Sequence, residues 1–144
     1  MNRSALEDLA RSIAIQSALD PQLVLAVCTH ESSWESWAVR YEPAFFSRYI
    51  EKMTGLTETE KHMRATSFGL MQIMGQVARE KGFSDKYLTA LCDPTNGITY
   101  GCKKLKECMD REHSDVRAAL LRFNGGGNPT YPDLVLQHYR AATT

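Results

Sequence analysis

Helix start signals recur along this chain and constrain its fold more than any other feature. Two capping boxes, each a serine or threonine followed three residues later by glutamate, begin at Ser4 and Thr57. Two further pairs, which start at Asp20 and Asp93, place a capping carboxylate directly before a proline. Proline is favoured in the first turn of a helix. No long stretch alternates apolar and polar residues as a half-buried strand does. The pattern predicts a mainly α protein of about seven or eight helices, with at most a short β-hairpin.

Apolar spacing between these signals completes the expected pattern. Ile98, Cys102 and Leu105 fall on one helical face and predict a central buried helix. The expected elements are a helix over residues 4–17, a helix over 21–33, a loop or short hairpin over 35–42, a helix over 43–53, a helix after Thr57, a helix that carries residues 70–74 after a cap at Ser67, a helix from Pro94, a helix over 114–121 capped by Ser114, and a last helix from about Pro132.

Length and charge limit the function classes. The 144 residues suit a single compact domain. No apolar stretch approaches the roughly 18 residues that span a bilayer, so we expect no membrane insertion. The first residues also lack the apolar segment of a secretory signal, and we expect no export by that route. Lys and Arg together number 17, as do Asp and Glu, so no basic stripe is available and we expect no nucleic acid partner.

The four cysteines are Cys28, Cys92, Cys102 and Cys108. Their spacing fits no compact zinc pattern, which disfavours a metal site that includes His113. Three of them occupy positions where apolar helical residues are expected, and a buried free thiol behaves as a small hydrophobe. Structural thiols are therefore the favoured interpretation. A disulfide between Cys92 and either Cys102 or Cys108 remains the alternative.

Glu31 is the strongest candidate for a chemical role. In the predicted second helix it shares a stripe with Val24, Val27 and Cys28, so its carboxyl projects from an apolar face at the helix C-terminus. Removal from water and the negative end of the helix dipole both favour the protonated acid. A glycosidase needs such a group, because the departing sugar oxygen must be protonated near neutral pH.

Glu31 also opens the first of three short motifs. They are Glu31-Ser32, Gly69-Leu70-Met71-Gln72-Ile73 and Phe123-Asn124-Gly125-Gly126. In this order they resemble the signature blocks of soluble lytic transglycosylases, enzymes with a lysozyme-like fold that cleave the glycan strands of bacterial peptidoglycan. The resemblance covers about residues 20–140. It implies that the whole chain, residues 1–144, is one catalytic domain.

The resemblance implies a role for each matching residue. Glu31 would protonate the bond between N-acetylmuramic acid and N-acetylglucosamine, and then remove the proton of the muramic C6 hydroxyl to give a 1,6-anhydro sugar. Ser32 would hold this carboxyl by hydrogen bonding or cap the helix. Met71 and Gln72 would line the cleft, and Gln72 offers an acetamido sugar both a donor and an acceptor. No metal or organic cofactor is implied.

Two departures from the family pattern leave the reaction type open. Phe123 stands where the family usually has tyrosine, so it lacks a hydroxyl near the catalytic carboxyl, while Asn124 remains a candidate sugar contact. The serine that many members carry about nine residues after the glutamate is absent, and Glu42 lies nearby. Glu42 either acts as a second carboxylate, which would permit hydrolysis as in muramidases, or pairs with Arg40, Arg48 or a cap.

Four aromatic residues are candidates for sugar stacking or for the core: Trp34, Trp37, Tyr41 and Tyr131. We expect a monomer that binds peptidoglycan glycan strands. The alternatives to transglycosylation are hydrolysis of the same bond and glycan binding without cleavage. The small chain also resembles a bacteriophage or prophage lysis enzyme. This likeness implies synthesis in the cytoplasm of an infected bacterium and action on the periplasmic wall.

Overall fold

Helices from both ends of the chain pack around the helix that ends beside Glu31. The computed structural model describes residues 1–143, and the side chains as far as residue 141. This helical lobe contains α1 (Arg3–Gln16), α2 (Pro21–Ser32), α6 (Pro94–Arg111), α7 (Val116–Phe123) and α8 (Tyr131–Thr143). Helix α2 packs mainly against α8 and α1.

Helix α2, rather than α6, is the central buried helix. Six consecutive residues of α2, from Leu23 to Cys28, are buried, so this helix is covered on all sides. Helix α6 buries only one face, which includes Ile98, Cys102 and Leu105, and carries charged residues on the other. The prediction of a central α6 is therefore wrong, although its buried face is as expected.

The middle of the chain forms a smaller lobe around a three-stranded sheet. Its elements are β1 (Val39–Tyr41), α3 (Pro43–Phe45) with a π-helical turn (Phe46–Ile50), α4 (Glu58–Arg64), β2 (Thr66–Phe68), β3 (Ile73–Met74), α5 (Gly75–Glu80) and a 3-10 turn (Leu88–Cys92). The strand order is β1-β2-β3, with both pairs antiparallel. Strand β1 thus pairs with a distant segment instead of forming a local hairpin. The helix predicted over 43–53 ends earlier in the structure, at Ile50, and its second part has π-helical geometry.

The two faces of this sheet have different environments. The register aligns Arg40 with Ser67 and Ser67 with Met74, and all three side chains face the helical lobe across a cleft. On the opposite face Phe68 and Ile73 are buried in the small lobe's own core. The sheet therefore separates a hydrophobic core from a polar surface.

Most predicted helix starts agree with the structure. The capping side chains that accept a backbone hydrogen bond as predicted are those of Asp20, Thr57 and Asp93. Two predicted caps are wrong. Asn2 caps helix α1 in place of Ser4, and Asp115 caps α7 in place of Ser114. Each correction moves the start by one or two residues, because a neighbouring Asn or Asp provides an equally good acceptor.

The helix predicted over residues 70–74 is wrong. Ser67, its expected cap, lies in β2, and the chain then turns and returns as β3. Gly69 and Gln72 have φ values of +75° and +50°, which a right-handed helix excludes. Helix α5 begins only after this turn, at Gly75.

All four cysteines are buried free thiols, as the favoured interpretation expected. No disulfide joins Cys92 to Cys102 or Cys108. Within residues 1–143, no helix has both the length and the apolar character needed to cross a membrane.

Candidate active site

A cleft of about 650 Å³ separates the helical lobe from the small lobe. The side chains on its helical wall are His30, Glu31, Lys104, Phe123, Asn124, Asn128 and Tyr131. Those on the opposite wall are Arg40, Glu42, Phe45, Ser67, Gln72 and Met74. The cleft thus brings together one residue or more from each of the three sequence motifs.

Glu31 lies in the last turn of α2 and faces this cleft. Burial raises the pKa of its carboxyl to about 7, although the positive charges of Lys104 and Arg40 act in the opposite direction. The effect of desolvation is therefore the larger one, because a charged carboxylate loses more favourable hydration free energy on burial than a neutral carboxylic acid does. The raised pKa favours the protonated acid, as a proton donor requires.

Lys104 is the charged neighbour of Glu31 that the sequence analysis missed. It extends from α6, and its Nζ donates a hydrogen bond of 2.7 Å to the carbonyl oxygen of Phe123 and lies 4.6 Å from the centre of that ring. Burial lowers the pKa of Lys104, and the charge of Glu31 opposes this shift. No local pattern distinguishes it from Lys103, which is exposed on the same helix.

The Gln72 side chain is held by the backbone of its own lobe. Its Nε2 donates to the carbonyl oxygens of Ala38, at 3.0 Å, and Gly69, at 3.1 Å. Both amide hydrogens are thereby used, and Oε1 is the group left for a ligand. The sequence analysis expected a donor and an acceptor here, whereas the structure leaves the acceptor alone.

Asn124 follows the last residue of α7, and its side chain has no hydrogen bond to any residue that the structure describes. It lines the cleft beside Phe123, which is almost fully buried. The positive φ angles of Gly125 and Gly126 then turn the chain away from the helix. The Asn124 amide is therefore available both as a donor and as an acceptor.

Ser32 and Met71 lie behind the cleft rather than in its wall. The Ser32 hydroxyl lies 2.9 Å from the carbonyl oxygen of Leu70 and 3.1 Å from that of Cys28, and the shorter distance favours Leu70 as the acceptor of its one proton. The hydroxyl oxygen accepts from the Trp34 backbone N–H at 3.2 Å. The contact with Trp34 is of the local-cap kind, which is one of the two roles expected for Ser32. Met71 is fully buried, and its side chain packs against Gly101. Both residues support the turn that carries Gln72.

Tyr131, which the sequence analysis treated as a candidate for sugar stacking or for the core, places a hydroxyl near the cleft. The residue is 2% exposed, and no hydrogen-bond partner for its buried hydroxyl occurs among the described residues. Its ring meets that of His30 edge-on, at 5.2 Å between centroids. Burial raises the pKa of Tyr131, and the charge of Glu31 adds to this shift. Tyr131 is thus a neutral donor close to Glu31.

Glu42 faces the cleft from the opposite wall and is also paired. Its Oε1 lies 3.1 Å from Nε of Arg40. Both alternatives stated for Glu42 from the sequence therefore retain a structural basis.

Two of the aromatic candidates differ in their exposure. Trp34 is buried and donates to Thr29 Oγ1, whereas Trp37 is exposed.

Comparison with known proteins agrees with the motifs. Residues 8–134 match the family model of the transglycosylase SLT domain, a range that includes both walls of the cleft. No match is found among curated proteins. None is found among solved structures either. Since the family match extends over most of the chain and contains all three motifs, the protein belongs to the transglycosylase SLT domain family of peptidoglycan-degrading enzymes.

Proposed function

We propose that this protein cleaves the MurNAc–GlcNAc bonds of peptidoglycan by lytic transglycosylation and leaves 1,6-anhydro-muramic ends. The observation that carries the proposal is the half-buried carboxyl of Glu31 in the cleft, with a pKa raised to about 7. Such a group can give up a proton and take one back near neutral pH.

The reaction needs one carboxyl in two successive steps. Glu31 first transfers its proton to the glycosidic oxygen, and the bond from muramic C1 to that oxygen breaks. The resulting carboxylate then removes the proton of the C6 hydroxyl, whose oxygen bonds to C1 and closes the anhydro ring. Lys104 stabilises the carboxylate between the two steps, because its positive charge favours ionised Glu31. Glu31 ends in its starting state.

The remaining polar groups suit an acetamido sugar. Gln72 presents Oε1 to an amide N–H, and Asn124 presents a complete amide. Tyr131 has the hydroxyl that Phe123 lacks, and this hydroxyl is buried near Glu31 without a hydrogen-bond partner, so it is a donor that can stabilise negative charge on Glu31. We propose that Tyr131 takes over the assisting role that the family's tyrosine has at the Phe123 position.

Product analysis distinguishes this reaction from hydrolysis. We expect wild-type protein to release muropeptides that end in 1,6-anhydro-muramic acid, lighter by one water than the hydrolysed fragments and resistant to borohydride. Because Glu42 is paired with Arg40, Glu42→Gln should leave the product type unchanged. Mass spectrometry of digests of purified sacculi identifies the product of the wild type and that of Glu42→Gln. Reducible muramic ends alone, together with a Glu42→Gln variant as inactive as a variant without Glu31, would make the protein a muramidase instead.

The pH profile tests the electrostatic part of the proposal. Above the pKa of Glu31 the acid is ionised, so kcat/KM should fall about tenfold for each further pH unit. Lys104→Met removes a charge that lowers this pKa, and the falling limb should therefore move to higher pH. Lys103→Met, on an exposed position of the same helix, is the control and should leave the limb unchanged. A limb that stays fixed in Lys104→Met would contradict the role of Lys104.

Alanine substitutions test the two amides separately. Gln72→Ala and Asn124→Ala should each weaken transition-state binding by about 1–3 kcal/mol, the usual effect of a lost hydrogen-bond partner. Gln72→Ala should also lower stability, because it removes the hydrogen bonds to Ala38 and Gly69. Asn124→Ala removes no such bond and should melt like the wild type. Kinetics and thermal denaturation of the same samples measure the losses of activity and of stability separately. Unchanged kcat/KM in either variant would exclude that amide as a sugar contact.

A further inference from the structure

The hydroxyl of Ser67 is held only weakly by the protein itself. Ser67 is the middle residue of β2 and lines the cleft. Among the described residues, the only acceptor of its Oγ is Met74 Sδ at 4.0 Å, and a thioether sulfur is a weak acceptor. The preceding hydroxyl, that of Thr66, instead donates at 2.8 Å to the carbonyl oxygen of His62. The Ser67 proton is therefore available to a ligand in the cleft.

The neighbours of Ser67 across the sheet leave this hydroxyl free. The register places Ser67 between Arg40 of β1 and Met74 of β3. Nε of Arg40 lies 3.1 Å from Oε1 of Glu42, so its charge is already paired within the protein. Met74 is half-buried and contributes an apolar thioether to the same wall. Ser67 thus provides a neutral donor beside an apolar side chain.

An acceptor lies farther along the same wall. Both amide hydrogens of Gln72 are used by backbone carbonyl groups, one of them that of Gly69, so Oε1 is free to accept. Gly69 follows Ser67 by two residues, which corresponds to about 7 Å along an extended chain. The wall therefore presents a donor and an acceptor on two different side chains, with a gap between them.

This arrangement suits a secondary amide better than a sugar hydroxyl. A hydroxyl carries its donor and its acceptor on one oxygen atom, whereas the N–H and C=O of a trans amide point in opposite directions. Such an amide can give its N–H to Gln72 Oε1 and accept from Ser67 Oγ at the same time. An acetyl methyl group is also compatible with the thioether of Met74.

We propose that Ser67 recognises the N-acetyl group of a sugar in the cleft by donating to its carbonyl oxygen, while Gln72 Oε1 accepts its N–H. The inference rests on the proposed function, since both sugars of the peptidoglycan glycan carry this group. It assigns Ser67 to substrate selection. A sugar without the acetamido group leaves these polar side chains unpaired and is bound less tightly.

Two neutral oligosaccharides test the proposal. The pentamer of N-acetylglucosamine and the pentamer of glucose have the same β-1,4 links and differ only in the substituent at C2. Calorimetry on Glu31→Gln protein measures both affinities without cleavage. In this background Ser67→Ala removes the hydroxyl and Ser67→Thr retains it. Ser47→Ala is the matched control, because Ser47 is an exposed serine of the same lobe that does not line the cleft.

We expect Glu31→Gln protein to bind the N-acetylated pentamer about tenfold more tightly than the glucose pentamer. Ser67→Ala should weaken binding of the N-acetylated pentamer about fivefold, the loss of one hydrogen bond, and leave the glucose pentamer unchanged. Ser67→Thr and Ser47→Ala should keep the full preference.

Three results would overturn the inference. Equal weakening of both pentamers in Ser67→Ala would assign the hydroxyl to a group that the two sugars share. An unchanged preference in Ser67→Ala would exclude Ser67 as the contact. A loss in Ser67→Thr as large as that in Ser67→Ala would show that the shape of the side chain matters and the hydroxyl does not. Thermal melts of Ser67→Ala should match those of the parent, because its hydroxyl makes no strong bond within the protein.

Peptidoglycan strands separate this inference from the proposed function. Glu31→Gln protein that binds glycan strands freed of their peptides, yet shows no preference between the pentamers, would overturn the inference and leave the proposed function intact. Glu31→Gln protein that does not bind those strands would contradict the proposed function, and the inference on Ser67 would fall with it.

Discussion

Glu31→Gln is expected to reduce cleavage of purified peptidoglycan about a thousandfold or more while the fold is retained, because the amide has no acidic proton to transfer and no basic form to recover it. Both steps of the proposed reaction use this carboxyl. The side chain keeps its size and its place at the end of α2, so the thermal melt should remain cooperative. Turbidity of a sacculus suspension and muropeptide release give the rates.

Glu35→Gln is the control for this change. It makes the same carboxyl-to-amide change four residues later, beyond the end of α2, where the Glu35 side chain accepts from the Trp37 backbone N–H and does not line the cleft. Its rate should stay close to that of the wild type. Near-normal cleavage by folded Glu31→Gln protein would refute the assignment of the acid. A wild-type protein that binds sacculi without releasing muropeptides would instead support the non-catalytic alternative.

Gly69→Ala is expected to lower the free energy of unfolding by about 4 kcal/mol, as the sum of two separate costs. The first is backbone strain, since φ at Gly69 is +75°. The second is steric, because a Cβ at this position would lie 2.7 Å from the carbonyl oxygen of Leu91, a backbone atom that has little freedom to move. Urea denaturation with matched m-values measures the difference.

Gly55→Ala separates these two costs. Its φ is +78°, nearly the same, but no atom lies within 4 Å of the added methyl group. We therefore expect a loss of about 1 kcal/mol from strain alone. Equal losses in the two variants would show that the contact with Leu91 is unimportant. Gly69→Ala should also reduce activity, because the carbonyl group of Gly69 holds the Gln72 amide.

Local sequence signals predicted most of the helical lobe and the central chemical group. Capping residues such as Asp20 and Asp93 act on backbone groups only two or three positions away, so their effect is visible without the tertiary structure. The helical stripe predicted that Glu31 projects from an apolar face, and the order of the three motifs then singled it out as the candidate acid. Burial of its carboxyl raises the pKa in the expected direction.

The sequence predicted the small lobe less well. Leu70, Met71 and Gln72 are good helix formers, yet the backbone at Gly69 and Gln72 turns back to form β3. Strands of two or three residues are also too short to produce a recognisable alternation.

The sequence also could not identify Lys104 and Tyr131 as neighbours of Glu31. Only the packing of α6 and α8 against the rest of the molecule brings them to the cleft. Their types were compatible with exposed or core positions, so no local pattern singled them out.

The hydrogen bond from Ser32 to Leu70 has a mechanical consequence. It joins the end of the helix that carries Glu31 to the turn that carries Gln72, so the separation of these two side chains is set at the base of the cleft. The spacing between the acid and the Gln72 acceptor is thus supported by a contact within the fold and does not require a bound sugar.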